Sequence, residues 1–208
     1  MGNIFRYTIA GFDVQVESSL ENSPLDRIEG FSLFRSDGKI DFDPVLRYNI
    51  TSSSEELADV VRFAQQKKSL HSFEFDDEDI KCDFYRNGEQ LIFRMVPQIG
   101  EHHYFVATNR GGRWDVDCNW EENKHRSMLR FSMWMAFAIA IAAKGGIPIH
   151  SSVIVHSGKA ALFLGESGTG KSTHTRLWRE NIEGAALLND DSPILRAEGG
   201  KVMAYGSP

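Results

Sequence analysis

Ala160-Ala161-Leu162-Phe163-Leu164-Gly165-Glu166-Ser167-Gly168-Thr169-Gly170-Lys171-Ser172 is the stretch that decides how this chain of 208 residues is read. Residues 160–164 form a compact apolar strand, residues 165–172 a glycine-rich loop, and residues 173–179 continue as a helix. Strand, loop and helix thus follow in the order that a phosphate-cradling loop requires. The glycines open backbone conformations closed to other residues, and they let N–H groups approach phosphate oxygens at the positive end of the following helix. Lys171 supplies a charge for the β and γ phosphates, and the Ser172 hydroxyl suits a Mg²⁺ ion bridging them. The expected ligand is a nucleoside triphosphate, ATP with Mg²⁺, held by Gly165, Glu166, Ser167, Gly168, Thr169, Gly170, Lys171, Ser172 and Thr173.

Downstream, residues 185–188 form a second apolar strand that delivers Asn189, Asp190 and Asp191 at its C-terminal end, where α/β sheets gather ligands. One aspartate would hold Mg²⁺ and the other accept a proton from an attacking hydroxyl. Upstream, residues 147–155 are strand-like and turn at Ser157-Gly158 into the strand feeding the loop, which puts His150 on a neighbouring strand of a hairpin. A hairpin directly before such a loop is unusual for parallel-sheet NTPases.

Three segments in this order, Ile149-His150-Ser151-Ser152-Val153-Ile154-Val155, the loop 165–172 and Leu188-Asn189-Asp190-Asp191, resemble the catalytic domain of HPr kinase/phosphorylase. His150 precedes Gly165 by 15 residues and Asp190 follows Lys171 by 19, close to the spacings of that family. The loop is also similar to that of ATP-dependent phosphoenolpyruvate carboxykinase, whose sheet is mixed rather than doubly wound. The resemblance implies that Lys171 and Ser172 bind phosphates and metal. It also implies that Asp190 and Asp191 share metal binding and proton transfer, and that His150 assists at the reacting oxygen. The catalytic set is then His150, Lys171, Asp190 and Asp191, and the metal set Ser172, Asp190 and Asp191.

The likeness covers residues 147–196, and Thr173-His174-Thr175-Arg176 departs from the Glu-rich helix start common in HPr kinases. Similar proteins accompany small peptide carriers in bacterial peptide-modification clusters. The first function expected is therefore a kinase that moves the γ-phosphoryl of ATP to a hydroxyl of a protein, peptide or small molecule. The second is a nucleotide-sensing or peptide-handling module without transfer, and the third a carboxykinase-like enzyme. The resemblance also makes a homo-oligomer plausible.

The rest of the chain sets the frame. Hydrophobic residues make up 41% and charged residues 25%, enough for one large or two small domains with a real core. The net charge is −6, with 23 Lys and Arg spread along the chain rather than gathered into a stripe, which argues against nucleic acid as partner. Cys82 and Cys118 lack disulfide or zinc spacing and read as core or strand residues. The N-terminus has no apolar targeting segment, and Arg6 stands where a myristoylation signal needs Ser or Thr, so a cytoplasmic location is expected. The most apolar run, residues 131–143, falls short of the ~20 needed to cross a bilayer and reads as a buried helix, with no membrane partner.

The expected fold is mixed α+β, in three parts. Residues 1–123 form a strand-rich domain, 124–146 a long core helix, and 147–208 an HPr kinase-like domain with a mixed sheet, truncated because it ends on a strand and turn. Within the first part, Phe5, Tyr7 and Ile9, then Phe12, Val14 and Val16, then Phe31 and Leu33 alternate as strands, and residues 53–66 carry a helical period. Residues 80–85 and 90–96 flank the hairpin pair Asn87-Gly88, and strands follow at 104–108 and 114–118. The acidic run 76–79 reads as a solvated turn, and His102-His103 as a strand edge rather than a metal site.

Overall fold

The structure, a computed structural model, describes residues 2–50, 55–75, 80–97, 103–118 and 126–208. The acidic run 76–79, His102, Ser53 and Ser54 at the expected start of the first helix, and the region of Lys124 lie outside these residues. The protein is mixed α+β, and the described residues divide into two compact units, Met1–Thr8 with Phe12–Ala140, and Ile9–Gly11 with Ile141–Pro208.

The first unit is built on strands β1 (Asn3–Ile9), β2 (Phe12–Ser18), β3 (Pro44–Asn49), β4 (His71–Phe75), β5 (Ile80–Asn87), β6 (Gln90–Pro97), β7 (His103–Arg110) and β8 (Arg113–Cys118). They form one mixed sheet in the order β1-β2-β3-β8-β7-β6-β5-β4. Strands β4 to β8 are an antiparallel meander, whereas β3 runs parallel to both β2 and β8. The period-2 alternation that marks a strand also sorts its side chains between faces. Tyr85, Ile92, Tyr104 and Val106 turn to one face, where Val60 and Ala64 of helix α1 (Glu55–Gln66) cover them. The opposite face carries a ladder of rings, Phe73 on Phe84 at 5.7 Å and Phe84 on Phe93 at 4.8 Å, against Phe131 of helix α2 (Arg126–Ala142). The same helix meets β2 through Phe12 and Phe137 and meets β3 through the Tyr48–Ser132 hydroxyl pair at 2.5 Å. Its apolar composition follows from this burial. No helix of the described residues is long and apolar enough to cross a membrane.

Four readings need correction. Phe31 and Leu33 lie in a 3₁₀ turn, Phe31–Phe34, that belongs to the connection from β2 to β3, so their alternation has no strand partner to satisfy. The β5–β6 hairpin turns on Gly88-Glu89 rather than on Asn87-Gly88, since Asn87 pairs with Gln90 and Gly88 alone of the two has positive φ. Strand β3 was not anticipated, although Leu46 and Tyr48 are buried and alternate with Arg47 and Asn49; it lies between parallel neighbours far along the chain. His103 is buried at the start of β7, between β6 and β8, rather than at a sheet edge. Cys82 and Cys118 are free thiols buried in strands, and burial pushes the Cys82 thiol up to about 12.

On the α1 face, Asp83 is only 1% exposed yet carries a full complement of partners. Ser72 donates to it at 2.6 Å and Arg94 through Nε at 3.1 Å, with the Lys81 ammonium 3.6 Å away. Burial pushes the carboxyl upward, but the hydrogen bonds from Ser72 and Arg94 and the two positive charges outweigh it and leave it below its ordinary value. A depressed carboxylate stabilises the fold above its unfolded-state pKa, and that contribution disappears as pH falls through the folded value. Asp83→Asn should therefore lower unfolding stability by about 3 kcal/mol at pH 7, because it strands Arg94. In urea denaturation the gap to the wild type should narrow once pH drops below about 4; an unchanged gap at pH 2.5 would contradict this account.

Candidate functional site

The second unit contains β9 (Gly146–Pro148), β10 (Ser151–His156), β11 (Lys159–Leu164), helix α3 (Lys171–Asn181), β12 (Ala186–Asn189), β13 (Ile194–Glu198) and β14 (Lys201–Tyr205). They make two three-stranded sheets, β11-β10-β12 and β14-β13-β9, antiparallel throughout. The mixed sheet expected for residues 147–208 is thus absent, and the mixed sheet of this chain belongs to the first unit. The apolar run 147–155 also breaks at Ile149-His150 into strands of different sheets, so His150 precedes β10 instead of lying within it. The break has a physical basis. Ile149 N–H donates to Pro193 O at 3.1 Å and Ser151 N–H to Asp191 O at 3.0 Å, which ties this segment to the chain following β12.

The hairpin from β10 to β11 turns on Ser157 and Gly158, both at positive φ (50° and 71°), the geometry of a two-residue turn that matches strand twist. Helix α3 then carries the chain from β11 across to β12, on the far side of β10. Because β11 and β12 are both antiparallel to β10, they run in the same direction and finish at the same end of the sheet. Register fixes which end: Ser151 sits opposite Leu164, and Val153 opposite Asn189. The start of β10, the loop 165–170 and the Asn189-Asp190-Asp191 segment therefore meet.

The loop is ordered by its own polar groups. Lys171 Nζ donates to the carbonyls of Gly165 at 2.8 Å and Glu166 at 2.9 Å, and Thr169 Oγ1 donates to Glu166 O at 2.8 Å. Gly168 and Gly170 have φ of 79° and 92°, in the left-handed region that glycine tolerates. A Cβ on Gly165 would lie 2.6 Å from Thr169 Oγ1, so the backbone crosses this point with no room for a side chain. Gly170 caps α3 without a side-chain hydrogen bond, and the N–H groups of the first helical turn, at Lys171, Ser172 and Thr173, point out of its N-terminus. Behind the loop, Phe163 of β11 stacks on His174 at 5.4 Å and meets Trp178 edge-on at 6.0 Å, which fixes the helix to the sheet.

The acidic segment is held as firmly. Asn189 Oδ1 accepts from the N–H groups of Asp191 at 3.0 Å and Ser192 at 2.8 Å, an Asx turn that separates the two carboxylates. Asp190 accepts a hydrogen bond from Ser152, and Asp191 lies 3.1 Å from His150 Nδ1. The second pair is exposed, with side chains 56% and 64% accessible, so it gives geometry more than stability. Lys171 turns to loop carbonyls rather than to either carboxylate. Sequence reasoning missed Ser152 and Thr175, small hydroxyls indistinguishable by type from their neighbours until β10 is seen to face α3.

The donor set fits a small hard cation bound together with phosphates: one hydroxyl and two carboxylates, all oxygen. Among the described residues no group of three or more His, Cys, Asp and Glu side chains forms a self-sufficient metal cage. Mg²⁺ needs none, since it takes one or two carboxylates and fills its remaining positions with phosphate oxygens and water. Comparisons with family models, with curated proteins and with solved structures find no match for this chain.

The loop's backbone demands glycine at 170 for conformation alone, since no atom lies within 4 Å of a Cβ placed there. Gly170→Ala should cost about 1–2 kcal/mol of ligand-free stability by left-handed strain, measured by urea unfolding. A cost below 0.3 kcal/mol would show that the loop relaxes freely.

Proposed function

We propose that residues 147–208 bind ATP with Mg²⁺ in the manner of the HPr kinase-like P-loop domains, and that the chain transfers the γ-phosphoryl group to a hydroxyl. The acceptor is a protein, peptide or small molecule. One observation carries this reading: the topology of the β11-β10-β12 sheet gathers a lysine-bearing glycine loop, a pair of aspartates and a histidine at one end.

On this reading the N–H groups of the loop and of the first turn of α3 take the phosphate oxygens, and Lys171 leaves its two loop carbonyls to place its charge between the β and γ phosphates. Ser172, Asp190 and Asp191 are the groups that would hold Mg²⁺, which when bound neutralises charge on the triphosphate. Asp190, anchored by Ser152, is the better placed for the metal. Asp191, paired with His150, is the better placed to accept the proton of the attacking hydroxyl. The acceptor oxygen forms a bond to the γ phosphorus, the bond from that phosphorus to the β–γ bridging oxygen breaks, and ADP leaves with the electron pair. Catalysis rests on position and charge compensation, as phosphoryl transfer demands.

A ligand that binds only the folded state stabilises it by about 2.7 kcal/mol at a hundredfold excess over its dissociation constant. Millimolar Mg-ATP should therefore raise the thermal midpoint of the wild type by several degrees, and Lys171→Ala should abolish most of the rise. Transfer from γ-labelled ATP to a panel of hydroxyl acceptors should fall at least a hundredfold in Asp191→Asn. Absence of any midpoint shift would refute the nucleotide site. Binding without transfer to any acceptor would leave a nucleotide-sensing module.

A further inference from the structure

Strand β10 reads Ser151-Ser152-Val153-Ile154-Val155, and Ser152 is turned toward α3 in the interior of the unit, where packing alone calls for an apolar side chain. It is 0% exposed, and Thr175, which it faces, is 2% exposed. Burying two hydroxyls costs stability unless both are hydrogen-bonded. Both are. Ser152 contacts Asp190 Oδ1, its Oγ lies 3.2 Å from Thr175 Oγ1, and Thr175 donates to the carbonyl of Ser172 at 3.0 Å.

A serine hydroxyl has one proton, which cannot serve Asp190 and Thr175 together. The carboxylate is the stronger acceptor, so the proton goes to Asp190, and the Thr175 proton is shared between Ser152 Oγ and the Ser172 carbonyl. The result is a continuous polar chain from the Asp190 carboxylate through Ser152 and Thr175 to the Ser172 carbonyl in the first turn of α3. It links β10, α3 and the end of β12.

We propose that Ser152 is a positioning residue, which with Thr175 fixes the separation between Asp190 and Ser172 so that the two take a divalent cation together with a triphosphate. This rests on the nucleotide reading given above. The contact uses only Oδ1 of an aspartate that is exposed to solvent, leaving Oδ2 for the cation. Groups that orient metal ligands without touching the metal commonly change its affinity by tenfold or more, whereas a hydroxyl that only packs would affect nucleotide binding equally with and without metal.

The experiment is a calorimetric titration of the full chain with ATP in Mg²⁺ and in EDTA, for wild type, Ser152→Ala, Thr175→Val, Asp190→Asn and the Ser152→Ala/Asp190→Asn double variant. Circular dichroism checks the fold of each. Ser152→Ala should lose about tenfold in affinity in Mg²⁺ and no more than about twofold in EDTA, and Thr175→Val should lose in the same sense but less. In the Asp190→Asn background, Ser152→Ala should have no further effect, because both act through one carboxylate. Equal losses in Mg²⁺ and EDTA, or additive losses in the double variant, would overturn the proposal while leaving the nucleotide site standing. Should Ser152→Ala not fold, the Mg²⁺ dependence of Thr175→Val decides alone. A wild type that binds no ATP in either buffer would overturn the functional reading and this inference with it.

Discussion

Strand β10 runs antiparallel between β11 and β12, and the arrangement of the second unit depends on that pairing. A strand that starts where its two neighbours end places three chain segments at one point, although they are separated by 15 to 40 residues in sequence. Strand β10 is enclosed on both faces, since Val153 and Ile154, which point to opposite sides of the sheet, are both fully buried. A slip by one residue would exchange the two faces and take Ser152 away from Thr175. The packing of β10 thus helps to set where the loop, the aspartates and His150 meet.

The polar end is then braced by local bonds rather than by salt bridges. Lys171 donates to loop carbonyls, Asp190 accepts from a buried hydroxyl and Asp191 lies beside an exposed imidazole. Positive and negative groups are kept apart, each with a weak partner that a polyanion and its counter-cation can replace. Such pre-organisation lowers the reorganisation needed when a charged ligand arrives.

Legibility in the sequence followed the range of the interactions. The loop and its helix were readable because glycine, lysine and serine act there through local backbone geometry, and the Ser157-Gly158 turn for the same reason; the β5–β6 hairpin formed where expected, but one residue further on than Asn87-Gly88. The long helix was readable from an apolar run that only burial explains. What failed was set by partners distant in the chain. Strand β3 joins β2 and β8 although only Leu46, Tyr48 and Ile50, alternating with Arg47 and Asn49, announce it, and Phe31 and Leu33 alternate without any strand to join. The break at Ile149-His150 comes from the hydrogen bonds of Ile149 to Pro193 and of Ser151 to Asp191, 44 and 40 residues on. The roles of Ser152 and Thr175 were invisible, since a serine facing a helix and one facing solvent share the same letter.

The central claim is that the end of the β11-β10-β12 sheet is a nucleotide site. The most direct measurement is amide hydrogen exchange of the full chain with and without Mg-ATP, resolved by peptide. The account predicts slowed exchange across residues 165–175 and 189–192, with residues 80–97 of the first unit unaffected. Unchanged exchange in the loop, or protection confined to the first unit, would contradict it.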